Sequence, residues 1–258
     1  MKLAISSIAL LLLLLGIWVR SYSTSYWLLL PATVVLLLIS YSFIELRMHE
    51  KRCFTSCYIE SDTLLSRFIL SRVSTTIFYI TLSLLMTLST LYVTTDFTLY
   101  MWLYLPIHVI ISTILYGYIK SKFISILNSG YINLFAREWT IYIMTIPLIA
   151  VYLYITMGGY EPSYLSFDFT QTLERASSSI YSISPTVDTI LKTQREIDGA
   201  FWWLIDRGSS YSSDGDIRFL IWSSFLLLNS FALLGINRLA IMIIYLLEML
   251  FKRRERSI

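Results

Sequence analysis

The chain has 258 residues and a formal net charge of +3; it is 56% hydrophobic and only 14% charged. Its mean hydropathy is +0.67. Soluble domains usually carry roughly 25% charged and 45–50% apolar residues. This composition therefore excludes an ordinary soluble globular protein, a disordered chain and a nucleic-acid-binding tail, and it predicts an all-α integral membrane helical bundle.

A helix needs about 20 largely apolar residues to cross a hydrocarbon core about 30 Å thick. Six uncharged runs approach or meet that length: Leu3–Val19, Tyr26–Ile44, Val73–Thr95, Phe97–Ile119, Trp139–Tyr160 and Phe219–Asn237. Pro31, Pro106 and Pro147 fall inside three of them, which spans tolerate where neighbouring helices restore the lost hydrogen bond. Lys2 and the Leu10–Leu15 block resemble the start of a signal peptide, but Gly16–Arg20 offers no small-x-small cleavage site. Only six residues separate this run from the next, so a retained helical hairpin is expected.

Lys and Arg set the orientation. With the N-terminus inside, Lys2, the Glu45–Arg72 loop, the Lys120–Glu138 loop and everything from Arg238 onward lie on the cytoplasmic side. These segments hold 14 of the 20 Lys and Arg, and the excess of basic residues belongs inside. The expected topology is six transmembrane helices, N-in and C-in, in the cell membrane. Residues 1–160 then carry five spans and two cytoplasmic loops, 161–217 form an extracellular loop, and 218–258 hold the sixth span and a basic tail.

The extracellular loop has nine Asp and Glu against four Lys and Arg. Ser184 and Pro185 read as N-cap and first helical residue, and Gly208 reads as a stop. Between them Val187, Ile190, Leu191, Ile197, Phe201, Leu204 and Ile205 recur at helical spacing. Phe169, Leu173, Ala176, Ile180 and Ile183 repeat the pattern more weakly. Two external helices, forming a cap or lying on the membrane, are expected. On the inner side, Phe123–Phe135 and Leu64–Ile69 read as amphipathic segments suited to the headgroup layer or to a cytoplasmic partner.

Polar side chains are expensive inside a membrane and so mark candidate sites. Thr76, Ser83, Thr87, Thr90 and Thr94 fall near one face of the third span, with Tyr79 close by. In the fourth, Tyr100, Tyr104, His108, Ser112 and Tyr116 recur every four residues. Small hydroxyls commonly line helix–helix contacts; they can also line a path, replacing part of a permeant's hydration. The candidate conduit-lining residues are His108, Tyr104, Ser112, Thr76, Ser83, Thr87 and Thr90. His108 reads as the one ionisable residue well inside a span. Arg238 follows 19 uncharged residues, which places it at the inner interface with its head in the headgroup layer.

Glu45, His49, Cys53 and Cys57 are each four apart. Four such positions extend over three helical turns, too far for one metal ion, and two cysteines make no disulfide framework. There is no Walker A sequence, dinucleotide fingerprint, HExxH or GxSxG. No enzyme, catalytic residue, metal or cofactor is predicted. Three readings remain: a translocation or channel subunit driven by a separate cytoplasmic ATPase, a small-solute or ion transporter using His108 and the Tyr/Thr face, and a structural or assembly protein with no permeant.

Gln occurs twice, Asn four times and Cys twice, a scarcity of thermolabile side chains that fits a thermophile, archaeal source. Together with the Ser/Tyr/Ile/Leu-rich spans and the polybasic Lys252–Arg256 end, the size and layout of the whole chain resemble the polytopic membrane channel component of the crenarchaeal Ced DNA-import system. The resemblance implies DNA import, with other membrane subunits and a cytoplasmic ATPase as partners. It rests on no motif, so it assigns no functional residue. The acidic outer loop sits poorly with direct DNA contact, since a polyanion is met by Lys and Arg. Homo-oligomers fit all three readings.

Overall fold

Each apolar run becomes a helix in the computed structural model, which describes residues 1–58, 72–128, 131–157, 162–208 and 215–255. α1 (Lys2–Ser21) leads through a 3-10 turn, Tyr26–Leu28, into α2 (Leu29–Tyr58). α3 (Arg72–Thr95), α4 (Leu99–Phe123) and α5 (Ile132–Met157) follow. Two shorter helices come next, α6 (Phe169–Ser178) and α7 (Pro185–Trp203), then a π turn at Leu204–Gly208 and α8 (Gly215–Glu255). No strand occurs among the described residues. α1 to α5 and α8 are long and apolar enough to cross a membrane. The chain is an all-α, multi-pass membrane protein.

The six long helices are not equivalent. From Leu239 to Tyr245, seven consecutive residues of α8 are buried. Seven residues go nearly twice round a helix of 3.6 residues per turn, so α8 is enclosed on every side. It packs against α1, α2, α3, α4 and α5. Of its apolar stretch 72% is buried, against 28–39% in the other five. A helix that is apolar all round belongs in the interior, and α8 is the axis about which the others are arranged.

Lipid tails are as apolar as Leu, so helices in a membrane associate through close packing and interhelical hydrogen bonds. Gly235 of α8 makes the closest approach: a Cβ there would stand 2.1 Å from Thr90 Oγ1 and 2.7 Å from Met86 Cγ of α3. One turn away, the Thr90 hydroxyl donates to the Ala232 carbonyl at 3.1 Å. On the other flank of α3, Trp18 of α1 donates through Nε1 to the Leu91 carbonyl at 2.8 Å.

α6 and α7 pack on each other so closely that a Cβ on Gly199 would lie 3.0 Å from Ala176 Cβ. Asp168 caps α6, accepting from the Gln171 amide at 3.1 Å. Pro185 opens α7 as predicted, but Ser184 makes no side-chain cap; Asp188 instead accepts from the Ser182 amide at 2.8 Å. The pair sits against one end of the bundle. Ser182 Oγ donates to the Tyr22 carbonyl at 2.6 Å, Arg195 forms a two-pronged ion pair with Asp96 at the α3–α4 turn, and the Trp202 ring lies 5.4 Å from that of Phe225 on α8.

Several boundaries depart from the sequence reading, α2 among them, which runs on past Ile44 to Tyr58. α5 starts at Ile132, before Arg137 and Glu138, and α8 continues through Arg238 to Glu255. These charges neutralise one another inside the bundle, so the uncharged runs end earlier than the helices do. The Phe123–Phe135 segment is not one amphipathic helix: α4 ends at Phe123, and the Asn128 carbonyl accepts from the amides of Tyr131 and Ile132 at 2.9 and 3.1 Å to start α5. Leu64–Ile69 lies outside the described residues, as do the side chains of Cys53 and Cys57.

Candidate functional site: a polar ladder on the central helix

α8 is apolar around its circumference but carries polar side chains at intervals along its length, bonded to the surrounding helices α2, α4 and α5. Nearest α6 and α7, the amide of Asn229 accepts from Tyr152 Oη of α5 at 3.1 Å and donates to the Phe225 carbonyl at 3.0 Å.

Two turns on, Asn237 Nδ2 donates to the Ile141 carbonyl at 2.7 Å and to Thr145 Oγ1 at 2.8 Å. A carbonyl can only accept, so the amide nitrogen must face α5 and Oδ1 must face α4. There His108 Nε2 lies 2.9 Å away. Facing an acceptor, Nε2 carries the proton, and His108 is the Nε2–H tautomer. Its Nδ1 is buried with no partner, as is Ser112 Oγ one turn along α4. His108 stands nine residues beyond Leu99, about 14 Å of helical rise, near mid-depth of a hydrocarbon core of about 30 Å.

The next residue, Arg238, is 2% exposed. Its Nη2 donates to Glu138 Oε2 at 3.1 Å and its Nη1 to Ser42 Oγ at 2.9 Å. Arg137, with no exposed surface at all, donates through Nε to Glu138 Oε1 at 3.0 Å and through Nη2 to the Ser42 carbonyl at 2.9 Å. Its Nη1 pairs with Glu45, and Tyr245 Oη donates to the same carboxylate at 2.9 Å. Both guanidinium groups lie over aromatic rings, Arg238 at 3.9 Å from the Phe43 centroid and Arg137 at 5.0 Å from that of Tyr245. Two cations and two anions from α2, α5 and α8 thus form one electrically neutral cluster. At the far end, Glu248 accepts from Tyr116 Oη at 2.8 Å and pairs with Lys120 at 2.8 Å and Lys252 at 2.5 Å.

Arg238 therefore lies in the bundle interior and not at the interface, and His108 shares the interior with Arg137, Glu138 and Arg238. The reason is mutual neutralisation: a lone cation would move its head to the interface, whereas one facing Glu138 gains by staying. The other predicted side chains divide into two groups. On α4, Tyr100 is exposed, Tyr104 half-buried, and Ser112 and Tyr116 buried, with the Tyr104 ring 5.7 Å from that of His108. On α3, Ser83, Thr87 and Thr90 are buried and Thr76 half-buried. Ser83 donates back to the Tyr79 carbonyl at 2.6 Å, Thr90 crosses to α8, and Thr87 Oγ1 has no partner. The seam between α3 and α8 around Thr90 is filled by Gly235 and Met86.

Arg137, Glu138, Glu45, Asn237 and Tyr245 were not among the candidates. The signal available was that apolar sequence resumes beyond each charge: Ile132 to Ala136 before Arg137, and Leu239 to Leu247 after Arg238. Opposite charges flanked on both sides by apolar residues, on separate helices, can meet at one depth.

Where α7 meets the α3–α4 turn, Arg195 and Asp96 join it to the bundle, with Asp198 alongside. Burial opposes the Arg195 charge, but Asp96 outweighs it and holds the guanidinium ionised well above its usual range. The Arg195 guanidinium lies over the rings of Tyr92 at 5.2 Å and Tyr164 at 5.6 Å. Burial pushes the Asp198 carboxyl up to about 6, with the Asp96 charge adding to the rise and the Tyr164 hydrogen bond and Arg195 opposing it. Among the described residues no three His, Cys, Asp or Glu side chains converge where a metal ion could sit. No family model matches the chain, and neither a curated protein nor a solved structure does.

Proposed function

We propose that this protein is a non-enzymatic membrane transport subunit whose ladder on α8 handles a small cation, the proton foremost. The observation that carries the reading is the neutral cluster of Arg137, Glu138, Arg238 and Glu45 inside the bundle. Buried ion pairs rarely stabilise a fold beyond what apolar residues of the same volume would, so stability alone does not account for four charges here. Ionisable groups within spans typically belong to ion paths and proton relays. His108 beside Asn237, Glu138 beside Arg238, then Tyr245 and Glu248 follow one another along the length of α8, and each can exchange a proton. Because α8 fills the axis, the path follows its polar groups; any larger permeant would cross between copies or between subunits.

Reconstitution into vesicles holding a pH-sensitive dye tests this. A potassium gradient with valinomycin would drive protons inward. The wild-type protein should acidify vesicles faster than empty controls, and the Glu138→Leu/Arg238→Leu double variant, still folded, should lose at least tenfold of that flux. Equal flux in the two proteins, or none above empty vesicles in the wild type, would sink the reading.

A second reading is a translocation subunit for DNA import, working with a cytoplasmic ATPase, as the resemblance to the Ced channel component implies. The observation favouring it is the exposed Lys252, Arg253 and Arg254 at the end of α8, a cationic patch suited to a polyanion. In both readings the excess of inner Lys and Arg supports an N-in, C-in arrangement in the cell membrane, with α6 and α7 outside. Deleting the gene should abolish DNA transfer while growth and solute uptake continue; unchanged transfer would eliminate this second reading. Purification of the tagged protein in mild detergent should then retain a stoichiometric ATPase.

A further inference from the structure

Beneath α7, where it meets the α3–α4 turn, the structure encloses a cavity of about 30 Å³ lined by Tyr92, Asp96, Thr98, Thr156, Asp198 and Asn229, among others. That volume holds one or two waters and excludes an organic molecule. Asp96 is already engaged, because both of its oxygens pair with the two terminal nitrogens of Arg195. Asp198 receives a hydrogen bond from Tyr164 Oη at 2.7 Å, and a carboxylate with two oxygens can accept several more.

Two further oxygens point to a missing partner. Tyr92 is only 7% exposed; its hydroxyl faces Asp198 closely enough to lower that carboxyl's pKa, yet it makes no hydrogen bond of good geometry. The Thr98 hydroxyl, also in the cavity wall, is buried and unpaired. Among the described residues Asn229 Oδ1 accepts from Tyr152 alone and keeps a second lone pair. An unsatisfied buried polar group is costly, and these two hydroxyls, with the spare lone pair of Asn229 and the Asp198 carboxylate, make a set of hard oxygen donors. With Arg195 cancelling Asp96, the net charge is −1.

We propose that this cavity binds a small monovalent cation of sodium's size, held by Asp198, the Tyr92 and Thr98 hydroxyls and Asn229, in competition with a proton on Asp198. One free carboxylate and no His or Cys make a poor match for calcium, which takes six to eight oxygens, or for a transition metal. A neighbouring cavity of about 160 Å³ shares Tyr92, Asp198 and Asn229 and adds Ser89 and Gln194; it gives a hydrated ion a way in. The groups facing Asp198 are Tyr164 before α6, Arg195 on α7, Tyr92 on α3 and Asp96 on the α3–α4 turn, with the non-titrating Asn229 on α8. The proposal is independent of the proton path along the lower part of α8.

The test uses the full chain purified in detergent, with binding of radioactive sodium and thermal unfolding in sodium, potassium or choline chloride at one ionic strength. At pH 7.5 sodium should bind saturably and raise the unfolding temperature, and choline should not. At pH 5, one unit below the carboxyl's titration at about 6, proton competition should weaken sodium binding about tenfold. Asp198→Asn keeps the acceptor for Tyr164 and should fold, but it should bind no sodium. Tyr92→Phe should weaken binding several-fold. Asp188→Asn, whose partner is Lys192 on the outer side of α7, should bind like the wild type. Sodium acting no differently from choline, or Asp198→Asn binding as the wild type does, would overturn the proposal. Neither outcome affects the vesicle acidification assay, so the two readings can fail separately.

Discussion

Arg137 has no solvent-exposed surface and still makes four polar contacts, to Glu138, Glu45, the Ser42 carbonyl and the sulfur of Met242. Its neighbour Glu138 divides its oxygens between Arg137 and Arg238. That sharing sets the expected effects of substitution. Removing one partner of a buried pair typically costs about 3–5 kcal/mol, because the other charge is left uncompensated. Arg238→Leu should fall near the low end, since Arg137 still faces Glu138. Glu138→Leu should cost more, because it strips both arginines of this acceptor at once. The double variant Glu138→Leu/Arg238→Leu leaves the Arg137–Glu45 pair intact and should recover most of the lost stability. Detergent thermal melts of the three variants check this ordering, and a double variant no more stable than Glu138→Leu alone would contradict it. Gly235 invites a second prediction. Ala is normally the better helix residue by up to about 1 kcal/mol, yet Gly235→Ala should destabilise by about 1–3 kcal/mol, because its Cβ would meet Thr90 Oγ1 at 2.1 Å. Thr90→Ala should restore part of that loss; additive effects in a double-mutant cycle would show that the two sites do not touch.

At the scale of elements, α6 and α7 meet the bundle at few points, and a titrating carboxyl lies at one of these junctions. Asp198 of α7 has its folded-state pKa raised to about 6 from an ordinary 3.8. A carboxyl with a raised pKa binds protons more tightly when folded, so its contribution to stability grows as pH falls through 6 and is complete near 4. In sodium-free buffer the unfolding temperature should therefore rise on going from pH 7 to pH 5, and in Asp198→Asn that rise should vanish. Asp188 runs the other way: the Lys192 pair and the Ser182 amide hold its carboxyl low, so it supports α7 above pH 4 and ceases to do so in stronger acid. Hydrogen exchange on α6 and α7 at the two pH values would locate the effect in these elements and not in the spans. A uniform change across the whole chain would contradict this assignment.

For the molecule as a whole, the decisive feature is that one helix occupies the axis. α8 has 41 residues, about 62 Å at 1.5 Å per residue, roughly twice the hydrocarbon thickness. It passes from beneath α7 through the bundle to an exposed basic end. A bundle with a filled axis offers no central bore, so transport of anything larger than a small ion calls for more than one copy or another subunit. The deletion experiment and the purification address that scale. If DNA is the cargo, the purified assembly should contain several copies or further membrane chains, as light scattering of the detergent complex would show; an active lone monomer would contradict a route between subunits.

The sequence by itself determined the solvent and the class of fold. Hydrocarbon demands runs of about 20 apolar residues, and six such runs appear at the positions of six helices. It also indicated Pro185 as the first residue of α7, because proline acts through local backbone geometry. His108 stood out for the same kind of reason, as an ionisable residue with apolar neighbours on both sides. Only the tertiary structure decided which helix takes the centre, that Asn237 is the partner of His108, and that Arg137, Glu138, Arg238 and Glu45 meet. A charge read alone marks the end of a span, since an isolated charge in lipid is expensive. Whether it is isolated depends on a residue some hundred positions away, as with Glu138 and Arg238, and that is a property of how the helices pack.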